Sequence, residues 1–170
     1  MTSIRPARRD DGAALQAIER LAGERFREVG LDGVANDEPL GLDVLAGYAD
    51  AGRSWVVVDE RDEPVGYVVV DEVDGNAHVE QVSVHPEHQG RGFGRMLFDR
   101  VVAWGTARGL AAVTLTSFDA VPWNRPLYEH LGFEVVPTDG VGPELQALVA
   151  HEAAQGLDPA MRVCMRRRLP

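Results

Sequence analysis

Lysine is absent from the 170-residue sequence, cysteine occurs once, and no apolar run is long enough to cross a bilayer as a helix. With all 17 basic residues arginine, a Walker A loop, which requires Gly-Lys-Ser/Thr, is excluded. A single cysteine forms no internal disulfide, which suits a reducing cytoplasm. The first ten residues, Met1 to Asp10, lack the apolar core of a secretory signal. These absences lead us to expect a cytoplasmic protein with no membrane partner.

Basic charge is also scarce. The formal net charge of -10 argues against a nucleic-acid partner, because neutralising phosphates needs a basic face. The excess is concentrated in residues 32–80, which hold 13 acids and 2 arginines. Such a run reads either as solvated loops and helix faces or as the border of a site that attracts a cationic amine. The length fits one domain with a sizeable core, and the expectation is a single domain over residues 1–170.

What the sequence does contain is organised around residues 77–108. Ala77 to Val84 is rich in β-branched residues, His85 to Gly94 is crowded with glycine, and the next stretch carries Phe93, Met96, Leu97, Val101, Val102 and Trp104 at helical spacing. The pattern predicts a strand, a loop and an amphipathic helix in succession. The first turn of a helix leaves N–H groups without intrahelical partners, and the helix dipole makes that end electropositive. Gly90, Gly92 and Gly94 would let a phosphate approach those donors, with Arg91 and Arg95 adding charge beside them. A dinucleotide fingerprint fails, since the sixth position from Gly90 is Arg95.

Gln89-Gly-Arg-Gly-Phe-Gly94 resembles the Gln/Arg-x-x-Gly-x-Gly/Ala signature of the GNAT superfamily of acyl-CoA-dependent N-acyltransferases. Residues 111–136 are similar to that family's downstream half: a strand, then Asn124, then Tyr128 on a short helix, then Leu131-Gly-Phe133 opening another strand. The resemblance implies a mixed α/β fold, a largely antiparallel sheet of six to seven strands flanked by helices. It also implies acetyl-CoA as cosubstrate, a small-molecule or peptide amine as acceptor, direct transfer without an acyl-enzyme, and no metal.

Element by element, the sequence predicts strands at Ile4–Pro6, Ser54–Val58, Pro64–Val70, Ala77–Val84, Ala112–Thr116, Phe133–Val136 and Met161–Leu169. Helices are expected after an Asp10 or Asp11 cap, over Asp43–Ala51, from Gly92, over Trp123–His130 and over Pro143–Gln155. Gly23 to Pro39 stays ambiguous, with a short helix around Phe26 and Val29. The strand at Ala112 should run parallel to the one at Ala77, and the last strand is expected at a sheet edge, available for a homodimer.

The resemblance assigns roles to particular residues. Backbone N–H groups of Gln89, Gly90, Arg91, Gly92, Phe93 and Gly94, with Arg95 beside them, would hold the pyrophosphate, and the main chain of Val82, Ser83 and Val84 would pair with the pantetheine arm. A main-chain N–H there would polarise the thioester carbonyl. Tyr128 would protonate the departing thiolate, and Asn124 would either bind the carrier or cap its helix. Glu80 is the candidate base, with His78 as a substitute on the same strand face if no bulge intervenes. A non-catalytic acyl-CoA-binding module with the same fold is the alternative reading. His85 and His88 have no nearby cysteine or spaced carboxylate to complete a metal site.

Overall fold

The computed structural model describes residues 2–118 and 121–170, so Asp119 and Ala120, inside the second motif block, lie outside the described residues. The elements are β1 (Ser3–Pro6), α1 (Gly12–Gly23), α2 (Asp32–Ala35), α3 (Leu42–Asp50), β2 (Ser54–Val58), β3 (Pro64–Val73), β4 (Asn76–Val84), α4 (Phe93–Ala107), β5 (Ala112–Phe118), α5 (Arg125–His130), β6 (Glu134–Val135), α6 (Pro143–Ala154) and β7 (Arg162–Arg168). The seven strands are hydrogen-bonded in the order β1-β2-β3-β4-β5-β7-β6. The fold is the expected mixed α/β type with a mostly antiparallel sheet. By contact the chain divides into two compact units, Met1–Val70 with Glu80–Val101, and Asp71–Val79 with Val102–Pro170.

In the first unit β2 pairs antiparallel with both β1 and β3. Val56, Val58, Tyr67 and Val69 form one core with Leu15 and Ile18 of α1 and Leu45 of α3. On the opposite face Gly66 faces Leu97 of α4, where a Cβ would lie 3.5 Å from the Leu97 side chain. With both faces covered, all five residues of β2 are buried and the strand reads as a continuous apolar run rather than an alternation.

Asp11 stands at the N-cap position of α1, as the sequence suggested, but its carboxylate does not cap the helix. It accepts instead from the Arg8 N–H at 2.7 Å and from Arg5 Nη1 at 2.9 Å. Burial alone would raise this carboxyl, yet the Arg5 and Arg8 bonds hold it below the usual carboxylate range. The ambiguous stretch resolves into a 3-10 turn over Glu24–Val29, closed by Gly30 in the left-handed region, followed by the four-residue α2.

In the second unit β5 pairs antiparallel with β7 from Ala112↔Arg168 to Phe118↔Arg162, and β6 adds to the other side of β7. The last strand is therefore interior, which corrects the expectation of a free β7 edge for dimerisation. Its Met165 is fully buried, while Val163 and Cys164 are half-buried. The first residues of β4 pair parallel with β5, as expected from the intervening helix.

The β3–β4 connection is shorter than the sequence suggested. Polar residues Asp71 to Asn76 read as a loop, but β3 runs to Val73 and β4 begins at Asn76. Asp74 and Gly75 both have positive φ, 54° and 74°, the two-residue geometry that matches strand twist in a tight hairpin. Asp74 is held there by a second task. Its carboxylate accepts from the N–H groups of Glu144 and Leu145 at 2.9 Å each, capping α6, while the Glu144 carboxylate accepts from the Asp74 N–H. A Cβ on Gly142 would lie 2.5 Å from that Asp74 carboxylate, so a glycine is needed beside the cap. Asp74→Ala should lower unfolding free energy by about 1–2 kcal/mol, read as a reduced urea midpoint at unchanged slope.

Candidate active site

Strand β4 leads directly into the glycine loop. A 3-10 turn over Pro86–His88 follows the strand, and the His85 Nδ1 accepts from the Glu87 N–H at 3.2 Å. The His85 N–H donates to Val65 O at 2.8 Å, fixing the end of β4 beside β3. The His88 ring stacks on Phe93, the first residue of α4, with centroids 6.0 Å apart. His88 thereby ties the start of the loop to the start of α4.

Gly90 and Gly92 have φ of 77° and 83°, a conformation that a residue with a Cβ rarely adopts. Gly94 differs. Its φ lies outside the left-handed range, and a Cβ built on it would meet no chain atom within 4 Å. Nothing in the fold requires glycine at Gly94, in the first turn of a helix where glycine is unfavourable. The space that a Gly94 side chain would enter is open. No acidic residue occupies that first turn, where the helix dipole favours negative charge.

Glu80, Val82 and Val84 are half-buried, and Ser83 is buried. The parallel ladder between β4 and β5 consists of Ala77↔Val113 and His78↔Thr114, and β4 continues beyond it to Val84. The Gln89 side chain reaches back to this strand end, its Nε2 donating to Val84 O at 3.2 Å. Its Oε1 accepts from Arg25 Nη1 at 3.3 Å. Arg25 was not singled out from the sequence, because the two residues are 64 positions apart and Arg25 sits in the stretch that gave no clear periodicity.

The predicted site residues divide between the two units. Glu80, Val82 to Val84 and Gln89 to Arg95 belong to the first, and Asn124 and Tyr128 to the second. Asn124 stands at the N-cap of α5 without a side-chain cap bond, so its amide is not spent on the helix. Its carbonyl accepts from the Tyr128 N–H at 3.1 Å. Tyr128 is half-buried and meets Phe133 edge-on at 6.2 Å. Burial pushes its phenol up to about 12, so the hydroxyl keeps its proton at any physiological pH.

His78 is 1% exposed, and its Nδ1 lies 2.9 Å from Thr114 Oγ1. Desolvation lowers its pKa to about 4, outweighing the opposing pull of Asp71. The imidazole is thus a neutral, enclosed partner of Thr114. Among the described residues no group of three His, Cys, Asp or Glu side chains is placed to hold a metal ion.

Several of the thirteen acids of the acidic run have structural partners. Asp50 pairs with Arg9, Asp62 with Arg5 and Arg8, and Glu72 with Arg108. Asp59 closes the β2–β3 turn by accepting from the Arg61 and Glu63 N–H groups, and Asp74 caps α6.

A glycine-rich loop that leads from β4 into α4, on a seven-stranded mixed sheet, is the framework of an α/β protein. Residues 15–133 match the acetyltransferase (GNAT) family, and the chain belongs to that family and is an acyltransferase. It is 28% identical over 137 residues to a peptidyl-lysine N-acetyltransferase, YjaB, of Salmonella typhimurium, covering 79% of this chain and 85% of the relative. Among solved structures it resembles a GNAT-family acetyltransferase of Staphylococcus aureus, at 15% identity, full coverage of both chains and a TM-score of 0.75. It also resembles the PaiA N-acetyltransferase of Thermoplasma acidophilum in complex with coenzyme A, at 12% identity, 99% coverage of both chains and a TM-score of 0.71. No helix among the described residues is long and apolar enough to cross a membrane.

The lowered His78 pKa carries a stability consequence. Protons bind the unfolded imidazole near its ordinary 6.5 but the folded one only near 4, so acidification favours unfolding across that window. His78 should show no imidazole titration above pH 5 by proton–nitrogen correlation NMR. The wild type should lose roughly 3 kcal/mol more than His78→Gln between pH 7 and pH 4 in urea titrations.

Proposed function

We propose that the protein transfers the acetyl group of acetyl-CoA directly to a primary amine of a peptide or small molecule, the two units acting as one catalytic domain in the cytoplasm. The observation that carries this reading is Gly94, a helix-start glycine that the chain's own sterics do not demand, standing in an open loop with Gly90 and Gly92. The PaiA structure, which holds coenzyme A, lends the carrier its identity, and the YjaB relative's peptidyl-lysine activity favours a lysine side chain as acceptor.

In this reading the pyrophosphate rests on the N–H groups of residues 89–94, and the pantetheine arm pairs with the main chain of Val82, Ser83 and Val84. That part of β4 lies beyond the end of the β4–β5 ladder, where strand addition is available to a ligand. A main-chain N–H of this segment polarises the thioester carbonyl. Glu80, half-buried and not sealed as His78 is, takes a proton from the amine directly or through water. The amine nitrogen bonds to the carbonyl carbon, the carbon–sulfur bond breaks, and the thiolate takes a proton from the Tyr128 hydroxyl. Asn124, whose amide is not used as a cap, contributes a hydrogen bond to the carrier.

The test is free-thiol release from acetyl-CoA across a panel of lysine-bearing peptides, peptide N-termini and small amines, with calorimetry of coenzyme A binding. Release with one amine class is expected; absence of coenzyme A binding would overturn the reading. Tyr128→Phe should lower kcat about 10- to 100-fold while the calorimetric coenzyme A affinity stays within about twofold. Gly94→Leu separates the fold from the ligand, because the signature that the loop resembles accepts only glycine or alanine at this position. It should raise unfolding free energy by about 0.5–1 kcal/mol through helix propensity, yet weaken coenzyme A binding about tenfold or more by filling the space beside the loop. A Gly94→Leu variant that binds coenzyme A as tightly as the wild type would remove the loop from its role.

A further inference from the structure

We propose that Arg25 is a phosphate ligand of the acyl carrier, supplied from outside the glycine loop. The inference rests on the coenzyme A reading above and adds a residue that the loop motif does not contain. Arg25 lies in the 3-10 turn Glu24–Val29 that follows α1. Its Nη1 donates to the Oε1 of Gln89, the first residue of the loop. The Gln89 amide is turned by its other bond, from Nε2 to Val84 O, so that its oxygen faces the guanidinium. Arg25 is thus brought to the loop mouth and held against the residue where the anion-binding N–H groups begin.

A neutral amide oxygen at 3.3 Å is a modest acceptor for a guanidinium. A phosphate oxygen is a stronger one, because hydrogen bonds to ionised acceptors are shorter and about twice as strong. The guanidinium fork has five N–H donors, and the Gln89 bond takes one of them. Two features therefore meet at one place: an anion-receptive helix start and a long-range cation oriented by that loop's own first side chain. The phosphate is either the pyrophosphate or the 3′-phosphate of the carrier.

The experiment compares wild type and Arg25→Gln in kcat/KM with acetyl-CoA, acetyl-3′-dephospho-CoA and phosphate-free S-acetyl-pantetheine, using one amine and calorimetric coenzyme A binding. The preference for acetyl-CoA over S-acetyl-pantetheine should fall about five- to tenfold in Arg25→Gln, carried by KM, and recover substantially in Arg25→Lys. If the dephospho compound loses as much as acetyl-CoA, Arg25 contacts the pyrophosphate; if only acetyl-CoA loses, it contacts the 3′-phosphate. An equal loss with all three thioesters, or no loss in a wild type that binds coenzyme A, overturns the proposal and leaves the function standing. A wild type that does not bind coenzyme A overturns both.

Discussion

An α-helix cannot satisfy the N–H groups of its own first turn, and the first turn of α4 carries no acidic residue to help do so. Gly90 and Gly92 turn the backbone into the helix through left-handed conformations, and Gly94 leaves open the space a side chain would fill. The cost is local. Glycine in a helix loses conformational entropy, and an open electropositive helix end forgoes the acidic residue that would stabilise it. The first unit compensates by fixing what surrounds the loop: β2 is buried on both faces, the His85 N–H is tied to Val65 O, and His88 stacks on Phe93.

The second unit handles the corresponding problem for a helix of no apparent chemistry in the opposite way. The first turn of α6 has its N–H groups filled by Asp74, a residue 70 positions earlier in sequence, and that carboxylate leaves no room for a side chain at Gly142. The contrast is informative because both helix starts face the same electrostatic requirement. One is closed with a carboxylate from the chain, the other follows a loop of three glycines and has no acid in its own first turn. A helix start built to be closed would look like α6.

This difference explains what the sequence disclosed and what it hid. The glycine loop, the parallel crossover from β4 to β5 and the order of elements were legible because glycine and β-branched runs act locally. Asp74-Gly75 was also a local signal, the two-residue hairpin turn, but the acids around it made a longer loop the more natural reading. The interior position of β7 was not legible, since only pairing with both β5 and β6 separates an edge strand from a central one. Nor was Arg25, whose approach to Gln89 depends on a 3-10 turn with no apolar period. The acid-rich run left two readings open for a related reason: composition counts charges but does not show that Asp50, Asp62 and Glu72 are paired.

Burial acts in the same direction on the two titratable groups of β4 and α5 that the sequence associated with proton transfer. It raises the Tyr128 phenol to about 12 and lowers the His78 imidazole to about 4, favouring the neutral form of each. A neutral phenol can give a proton to a thiolate, whereas an enclosed neutral imidazole bonded to Thr114 has no route to an incoming amine. In the proposed reaction the two would therefore separate into a proton source and a structural partner. A base would need access to solvent or substrate, and Glu80, at the point where β4 passes from buried to half-buried residues, meets that condition where His78 does not. The change in burial along a single strand, over two residues, is what would divide their roles.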